Sequence, residues 1–294
     1  MTAVKLDPDT IFTALIYIIL FILVIAIIYP LIYVVSASFS DPLALLNGEI
    51  WLLPIRPNLE AYKNVLENDQ IWMGYKNTVL YTVVGTVINL VLSIMVAYPL
   101  SRRDLKGANL IMIIIVITMF FRGGIVPLYL VVRGLGLTNT FWAMVIPTGI
   151  NVYNVIIMRT FFRETIPEEL KDSAFIDGCS NIAFLLRIVL PLSGSILAVM
   201  VLFYSVFHWN DFFNALIYLS NRKLFPLQLI LREILLQSNV EDMMGEEAGY
   251  LEHLLRSEAL KYTVIIFASL PMLILYPFIQ RFFVKGVMIG AIKG

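Results

Sequence analysis

IPEELKDSAFIDGCSNIAFLLRIVLPL, residues 166–192, is a charged interruption between two strongly hydrophobic segments of the chain. Thr165 and Glu168 have the spacing of a capping box, with a proline between them, which predicts the start of a helix. Gly178 can adopt a positive φ and end that helix, and Ser180 can cap the next one. The stretch therefore predicts a bent, exposed pair of short helices.

The composition of the rest of the chain is that of a membrane protein. Of 294 residues, 60% are hydrophobic and only 14% are charged, and the mean hydropathy is +0.86. Ordinary soluble domains are less apolar and more charged. The 21 basic and 21 acidic residues cancel, so no net positive field exists to attract nucleic acid. Cys179 is alone, which excludes an intrachain disulfide, and no Cys/His cluster has the spacing of a structural zinc site.

Six segments are long and apolar enough to cross a bilayer as helices, which need about 20 residues each. They are residues 11–35, 77–100, 109–132, 140–162, 190–219 and 260–284. The first is too long for a signal-peptide core and lacks a small-residue cleavage site. We therefore predict an all-α integral membrane protein in which residues 1–294 form a single transmembrane domain.

Basic residues in a short loop predict the orientation, because Lys and Arg are retained on the cytoplasmic side. The loop 101–107 contains Arg102, Arg103 and Lys106. With six spans, a cytoplasmic position for this loop also places both termini and the 166–192 stretch inside. Residues 36–76 and 220–259 then face outward, either as a packed cap or as a docking surface for an outside partner.

Polar side chains recur inside two of the predicted spans, where they avoid lipid and face protein or a water-filled cavity. In the fourth span, Asn151 and Asn154 share a helix face. One face of the second span contains Thr78, Thr82, Thr86, Asn89 and Ser93. For both spans, helix packing and the lining of a solute path remain alternatives.

Arg122 is the one basic residue deep in a predicted span. At about 1.5 Å per residue it lies roughly 20 Å into a 30 Å core, in the outer part of the third span. Gly123, Gly124 and Pro127 follow it. This pattern predicts an opened helix that lines a cavity. The alternative is that Arg122 snorkels to the surface or pairs with a structural carboxylate.

The fifth span ends in HWNDFFNAL, which combines aromatic rings with hydrogen-bonding groups. His208, Trp209, Asn210 and Asp211 belong to this segment. Such a mixture suits a sugar, which has apolar CH faces and a rim of hydroxyls. An aromatic belt at the membrane interface is the alternative interpretation.

Several kinds of chemistry are missing from the sequence or excluded by its spacing. It lacks a phosphate-binding glycine loop followed by Lys and Ser or Thr. Ser195 and His208 lie thirteen residues apart on one span, or about 20 Å along a helix, which excludes an intramembrane serine protease. A secondary carrier stays open as an alternative, although Asp211 is the only carboxylate well inside a span. A membrane scaffold that transports nothing is a third class.

The opening stretch also resembles a known signature. Asp172-Ser173-Ala174, three residues, Gly178, nine residues, and Ile188-x-Leu190-Pro191 resemble EAA-x3-G-x9-I-x-L-P of permease subunits of type I ABC importers. Asp172 replaces Glu and Ser173 replaces the first Ala. The resemblance extends over nearly the whole chain and is closest to carbohydrate-importer permeases of the maltose-system second-subunit type. Residues 29–42 are similar to the end of their first span, and residues 121–147 to a branch that handles larger oligosaccharides.

The resemblance implies the type I ABC importer permease fold, with a cytoplasmic coupling helix, in a bacterial cytoplasmic membrane. The expected partners are a second permease subunit, a dimer of ATPase subunits and an extracytoplasmic solute-binding protein that delivers an oligosaccharide. ATP and Mg are expected on the ATPase, so this chain is expected to bind no cofactor and to be no enzyme. Arg122 stands where the branch more often has a small polar residue, which points to an acidic sugar.

The resemblance assigns ATPase coupling to the hairpin 165–189, in which Leu170, Ala174 and Phe175 are predicted to form an exposed apolar tip. The predicted coupling residues are Glu169, Leu170, Asp172, Ser173, Ala174, Phe175, Asp177 and Gly178. The predicted substrate path comprises Arg122, Asn151, Asn154, His208, Trp209, Asn210 and Asp211.

Overall fold

The computed structural model describes residues 8–121, 123–241 and 250–291, and all regular elements in these ranges are helical. The α-helices are α1 (Pro8–Ser38), α2 (Pro42–Leu46), α3 (Glu60–Glu67), α4 (Asp69–Ser101), α5 (Ala108–Phe120), α6 (Ile125–Gly134), α7 (Val152–Thr165), α8 (Glu168–Ile176), α9 (Asn181–Phe184), α10 (Leu190–Leu192), α11 (Gly194–Trp209), α12 (Phe213–Tyr218), α13 (Leu227–Glu241) and α14 (Tyr250–Ala291). Short 3-10 helices cover Phe141–Met144 and Arg222–Leu224, and a π-helical turn covers Leu185–Val189.

Three helical segments are long and apolar enough to cross a membrane unbroken: Phe12–Ser38, Asp69–Ser101 and Glu258–Phe278. Two bent pairs of helices pass the same test together. The pair α5 and α6 bends by 111° between Phe120 and Ile125, and the pair Asn181–Leu192 and α11 bends by 83°. The described part of the chain therefore has up to five such spans, and the all-α membrane architecture is confirmed.

The prediction of an unbroken spanning helix over residues 140–162 is wrong. After the 3-10 helix Phe141–Met144, the chain follows turns and extended backbone until α7 begins at Val152. Pro147 has no backbone N–H to continue a helix. The Asn151 side chain then caps α7 by accepting a hydrogen bond from the Asn154 N–H at 3.3 Å. The predicted fifth span, 190–219, is likewise divided between α10, α11 and α12.

The chain divides into two compact units, one of residues up to 69 with 231–270 and one of residues 70–230 with 271 onward. The prediction of one transmembrane domain stays a prediction. In the first unit, a small core of Ala37, Leu45 and Ile50 packs against Tyr33 and Tyr262. The large apolar side chains of α1 between Phe12 and Leu31 are exposed over 40–68% of their surface. This helix is thus an apolar surface available to lipid.

The second unit contains the main core, which joins α4, α7, α8 and α11. Its buried residues are Ala97, Tyr98, Val155, Met158, Phe162, Ala174, Phe184, Val189, Ile196, Met200 and Tyr204. Because Ala174 of α8 belongs to this cluster, the short helix of the 166–192 stretch is packed onto the membrane helices rather than detached from them.

The polar face of α4 packs against neighbouring segments. Thr78 Oγ1 accepts a hydrogen bond from the Leu227 N–H at 2.8 Å, and Ser93 Oγ lies 2.6 Å from the hydroxyl of Tyr204. Thr86 Oγ1 lies 3.3 Å from the Ser205 hydroxyl. All three are buried. The packing interpretation therefore holds for most of this face.

Candidate coupling helix and substrate cavity

The start of α8 differs from the prediction. Thr165 is the last residue of α7, and Pro167 occupies the cap position of α8 without a side-chain hydrogen bond. The predicted capping box is therefore wrong, because the threonine belongs to the preceding helix. Glu168 instead is the first helical residue, where a carboxylate is favoured by the helix dipole, and its Oε2 lies 3.5 Å from Arg103 Nη1.

The end of α8 follows the prediction. Gly178 has φ +80°. The Gly178 N–H donates to Phe175 O at 3.0 Å and the Cys179 N–H to Ala174 O at 2.9 Å, which is the hydrogen-bond pattern of a Schellman motif. Ser180 Oγ then accepts from the Ala183 N–H at 3.3 Å and caps α9. The bend between the two short helices is thus encoded locally.

The exposed apolar residues of the hairpin are different from those predicted. Ala174 is buried, and Leu170 packs against the same core cluster, so the prediction that both belong to an exposed tip is wrong. They lie four residues apart on one helix face, and that face is turned toward α4 and α7. Ile176 and Ile182 are instead exposed to 86% and 71% of their surfaces.

Phe175 of the hairpin lies within cation–π distance of two cations. The Lys171 ammonium and the Arg102 guanidinium carbon each lie 5.8 Å from the centre of its ring, a distance at which cations are attracted to an aromatic face. The Phe175 ring also lies 6.1 Å from that of Phe184. Phe175 thus connects the loop 101–107 to the hairpin.

A cluster of charges fixes the same loop to α8. Asp104 accepts from Lys171 Nζ at 2.9 Å and from the Arg102 guanidinium, and Arg102 also donates to the Asn181 side chain. Hydrogen bonding from Arg102, followed by that from Lys171, holds the pKa of the Asp104 carboxyl well below its usual range. The carboxylate therefore remains charged at neutral pH and bridges the loop to the helix.

A large cavity, which we call the central cavity, lies among α4, α5, α7 and α11, with a volume of about 650 Å³. It is lined by Asn89, Thr118, Met119, Leu128, Pro147, Thr148, Ile150, Asn151, Val152, Tyr153, Asn154, Phe203, Tyr204 and Phe207. The lining combines amide and hydroxyl groups with aromatic rings and aliphatic side chains. Such a lining offers apolar surface and hydrogen-bonding groups together.

Of the predicted path residues, Asn151 and Asn154 line this cavity. Asn151 also has a local structural role, since its side chain caps α7. Arg122 lies outside the described residues. Thr118 and Met119, which line the cavity, precede Arg122 by four and three positions in the sequence.

The other predicted path residues do not line the cavity. Buried His208 has its Nε2 2.8 Å from Asn89 Oδ1, and Trp209 is buried with its ring 5.6 Å from that of Tyr75. Asn210 donates to Val206 O at 2.9 Å, and Asp211 accepts from both the backbone and the side chain of Asn214. In the structure these four residues hold the end of α11 and the start of α12.

His208 nevertheless reaches the cavity through one intermediate. Asn89 lines the cavity, donates its amide hydrogen to Thr148 O and presents its oxygen to His208. Because that oxygen can only accept, His208 Nε2 carries the hydrogen. The histidine is thus a positioning residue for Asn89.

Aromatic residues of the cavity were missed by the sequence interpretation. Phe203 and Phe207 lie four residues apart on α11, and Tyr153 lies at the start of α7. The i, i+4 spacing of the two phenylalanines was a visible signal. It does not distinguish a cavity face from a lipid face, because both are apolar.

A short charged hairpin packed onto membrane helices, together with a large cavity among those helices, is the arrangement expected of the membrane subunit of a transport system. Residues 71–289 match the model of the family described as binding-protein-dependent transport system inner membrane component, and the chain belongs to this family of ABC transporter permeases. It is therefore a transporter subunit of the bacterial cytoplasmic membrane rather than an enzyme, and the alternative of a self-sufficient secondary carrier is wrong.

Individual relatives agree with this assignment. The chain is 40% identical to protein LplC of Bacillus subtilis, over 91% of this chain and 90% of that protein. It is 38% identical to the polygalacturonan/rhamnogalacturonan transport system permease protein YtcP of the same organism, over 97% and 99%. A chain of a bacterial ABC transporter involved in the import of the acidic polysaccharide alginate has a TM-score of 0.85 and 30% identity, with 96% of this chain and 100% of that chain covered.

Proposed function

We propose that this chain passes an oligosaccharide across the membrane as one of two permease subunits in an ATP-driven importer. A solute-binding protein delivers the sugar from outside. A pair of ATPase subunits binds ATP and Mg and supplies the energy, while this chain binds no cofactor. Names of the relatives support a carbohydrate, since they include a polygalacturonan/rhamnogalacturonan system and an alginate system.

The central cavity is the observation that carries the substrate class. Its volume of about 650 Å³ falls within the usual range for small-molecule sites, which is roughly 300–1,000 Å³. Tyr153, Phe203 and Phe207 offer partly exposed rings, and Asn151 offers an exposed amide. We assign these four residues to sugar contact, with Asn154 and Asn89 deeper in the wall.

An acidic sugar is the finer proposal. No Lys or Arg is present among the described residues that line the central cavity. Arg122 follows Thr118 and Met119 within four positions, so it is the cation that the sequence puts next to this lining. Alginate and polygalacturonan both contain carboxylates, which a guanidinium binds well.

Coupling to the ATPase is proposed for the surface of the hairpin that faces away from the permease core. Asp172, Ser173, Asp177 and Gly178 are exposed there, and Ile176 is the most exposed apolar side chain of α8. Glu169 and Phe175 flank this surface. Leu170 and Ala174 act from the opposite face by holding α8 on the core, which allows α8 to move with the spans as one body.

The test of the substrate proposal is uptake by cells in which variants replace the natural chain. Phe207→Ala is expected to lower uptake of neutral and acidic oligosaccharides alike, because the ring contacts the CH face that both share. Arg122→Ser is expected to lower uptake of the acidic sugar more than that of the neutral one. Phe213→Ala removes an exposed ring near the end of the same segment and serves as the matched control. Equal effects of Arg122→Ser on both sugars would reject the specificity for acidic sugars. Full uptake by Phe207→Ala would reject the central cavity as the site of sugar contact.

A further inference from the structure

A second polar cavity lies at the other end of these helices, where α4 ends and α5 begins. Its volume is about 210 Å³, and four arginines line it: Arg102, Arg103, Arg159 and Arg163. We call it the arginine pocket. The transport function proposed above gives no role to this concentration of positive charge.

The charge of the arginine pocket is only partly neutralised. Arg102 pairs with Asp104 and Arg103 with Glu168, but neither carboxylate lines the pocket, and no acidic residue appears among the described residues that do. Arg159 is held by neutral acceptors, with Nε donating to Leu100 O at 2.8 Å and Nη2 to Asn109 Oδ1 at 3.4 Å. The pocket thus has a net positive charge.

Arg163 adds to this charge from an exposed position. It lies four residues after Arg159 on α7, so the two side chains share a helix face. Neither forms an ion pair with a carboxylate in the ranges that the structure describes. Two guanidiniums side by side without a carboxylate are a site for an anion with several acceptor oxygens.

The surroundings of the pocket indicate which anion this is. The loop 101–107 is rich in Lys and Arg, which places it at the cytoplasmic membrane boundary. From there α5 runs away with a row of exposed apolar side chains, including Leu110, Ile113 and Ile114, each more than half exposed. An anionic group in the pocket therefore has an apolar surface for hydrocarbon directly beside it.

We propose that the arginine pocket binds the phosphodiester headgroup of an anionic phospholipid of the cytoplasmic leaflet, whose acyl chains lie along α5. Basic pockets between membrane helices on the cytoplasmic side are suited to such headgroups. The bound lipid links α4, α5 and α7 next to the loop that contacts α8. Free phosphate shares the headgroup chemistry but lacks the chains that would use the apolar face of α5.

The test is lipid binding by the purified full-length chain in a neutral detergent, followed by native mass spectrometry. Phosphatidylglycerol is expected to bind more tightly than phosphatidylcholine, and inorganic phosphate at the same concentration is expected not to displace it. Arg163→Gln should weaken phosphatidylglycerol binding by about fivefold, and Arg159→Gln with Arg163→Gln by tenfold or more, at roughly 1 kcal/mol per basic residue. Lys106→Gln removes one charge from the same loop outside the pocket and should change binding by less than about twofold.

Arg163 is exposed, so Arg163→Gln alone is expected to fold. The double variant also loses the hydrogen bond from Arg159 to Leu100 O, which can disturb its folding, and the single variant therefore keeps the test decisive. Equal binding of the two lipids would overturn the proposal. Displacement of the lipid by inorganic phosphate, or an effect of Lys106→Gln as large as that of Arg163→Gln, would overturn it as well.

Discussion

Lys171 Nζ lies 2.9 Å from Asp104 Oδ2, and this ion pair joins the coupling helix α8 to the loop that follows α4. Arg102 donates to the same carboxylate, so the bridge has two cations and one anion. The Lys171 and Arg102 side chains are about four-fifths buried, whereas that of Asp104 is about half exposed. The contact therefore depends on Asp104, which lies outside the EAA-like segment.

Removal of the Asp104 charge should loosen α8 without unfolding the chain. In Asp104→Asn the two cations lose their shared carboxylate, and pairs of this kind contribute up to about 1 kcal/mol, which corresponds to roughly a fivefold change in an equilibrium. We expect sugar uptake per ATP hydrolysed to fall about two- to fivefold in the assembled complex. Lys106→Gln, in the same loop, should leave this ratio unchanged. A ratio as high in Asp104→Asn as in the natural chain would show that the bridge plays no part in coupling.

The same carboxylate predicts a pH dependence of stability. The pKa of Asp104 is lower in the folded chain than the unfolded value of about 3.9, so its stabilising contribution is complete above that value and is lost as the pH falls through the folded pKa. The difference in thermal stability between the natural chain and Asp104→Asn should be constant between about pH 5 and 8. It should shrink only in more acidic solution. A difference that already varies between pH 6 and 8 would contradict this assignment.

Substitution of Gly178 should destabilise the chain because of the backbone conformation at this position rather than because of crowding. Its φ is +80°, while a Cβ placed there would meet no atom within 4 Å. Gly178→Ala is expected to cost about 1–2 kcal/mol, because a left-handed conformation is strained for a residue with a Cβ. Gly178→Asn should cost less, since Asn tolerates this conformation. Chemical denaturation of both variants, with uptake and ATP hydrolysis measured in parallel, tests the order. Equal stability of the two variants would contradict backbone strain as the reason for a glycine at this position.

Substitution of Gly85 should destabilise the chain because of crowding rather than because of backbone conformation. A Cβ on this residue would overlap the imidazole ring of His208, so any side chain displaces the ring that positions Asn89. Gly85→Ala is expected to destabilise the chain by about 1–3 kcal/mol, as overpacking does, and to lower sugar uptake. Gly194→Ala, at the start of α11 where a Cβ has open space, is the control and should be neutral in the uptake assay. If Gly85→Ala retains both stability and uptake, the contact with His208 does not position Asn89.

Local features of the sequence were predicted well because their causes are local. The glycine that ends α8 and the serine that caps α9 act within a few residues, and both predictions are confirmed. The break after α5 was also predicted, because two consecutive glycines disfavour a continuous helix at that point. The membrane architecture followed from composition, because lipid admits few alternatives.

The errors concern properties that depend on distant partners. Leu170 and Ala174 look like a free apolar tip until α4, α7 and α11 are placed around them. His208 bonds to Asn89, which is 119 residues away in the chain, so no local pattern reveals that it supports a cavity residue rather than touching the substrate. Phe203 and Phe207 have the same apolar pattern on a cavity wall as they would have in lipid.

The most direct test of the account is ATP-driven uptake by the assembled importer with Ile176 changed. Ile176 is 86% exposed on the far face of α8 from the core, so Ile176→Asp should leave the thermal stability of the chain unchanged. This variant is expected to insert and fold but no longer to transport the sugar or stimulate ATP hydrolysis, whereas Ala174→Asp is expected to unfold the hairpin itself. Normal uptake by a correctly inserted Ile176→Asp protein would contradict the assignment of α8 as the mechanical link to the ATPase.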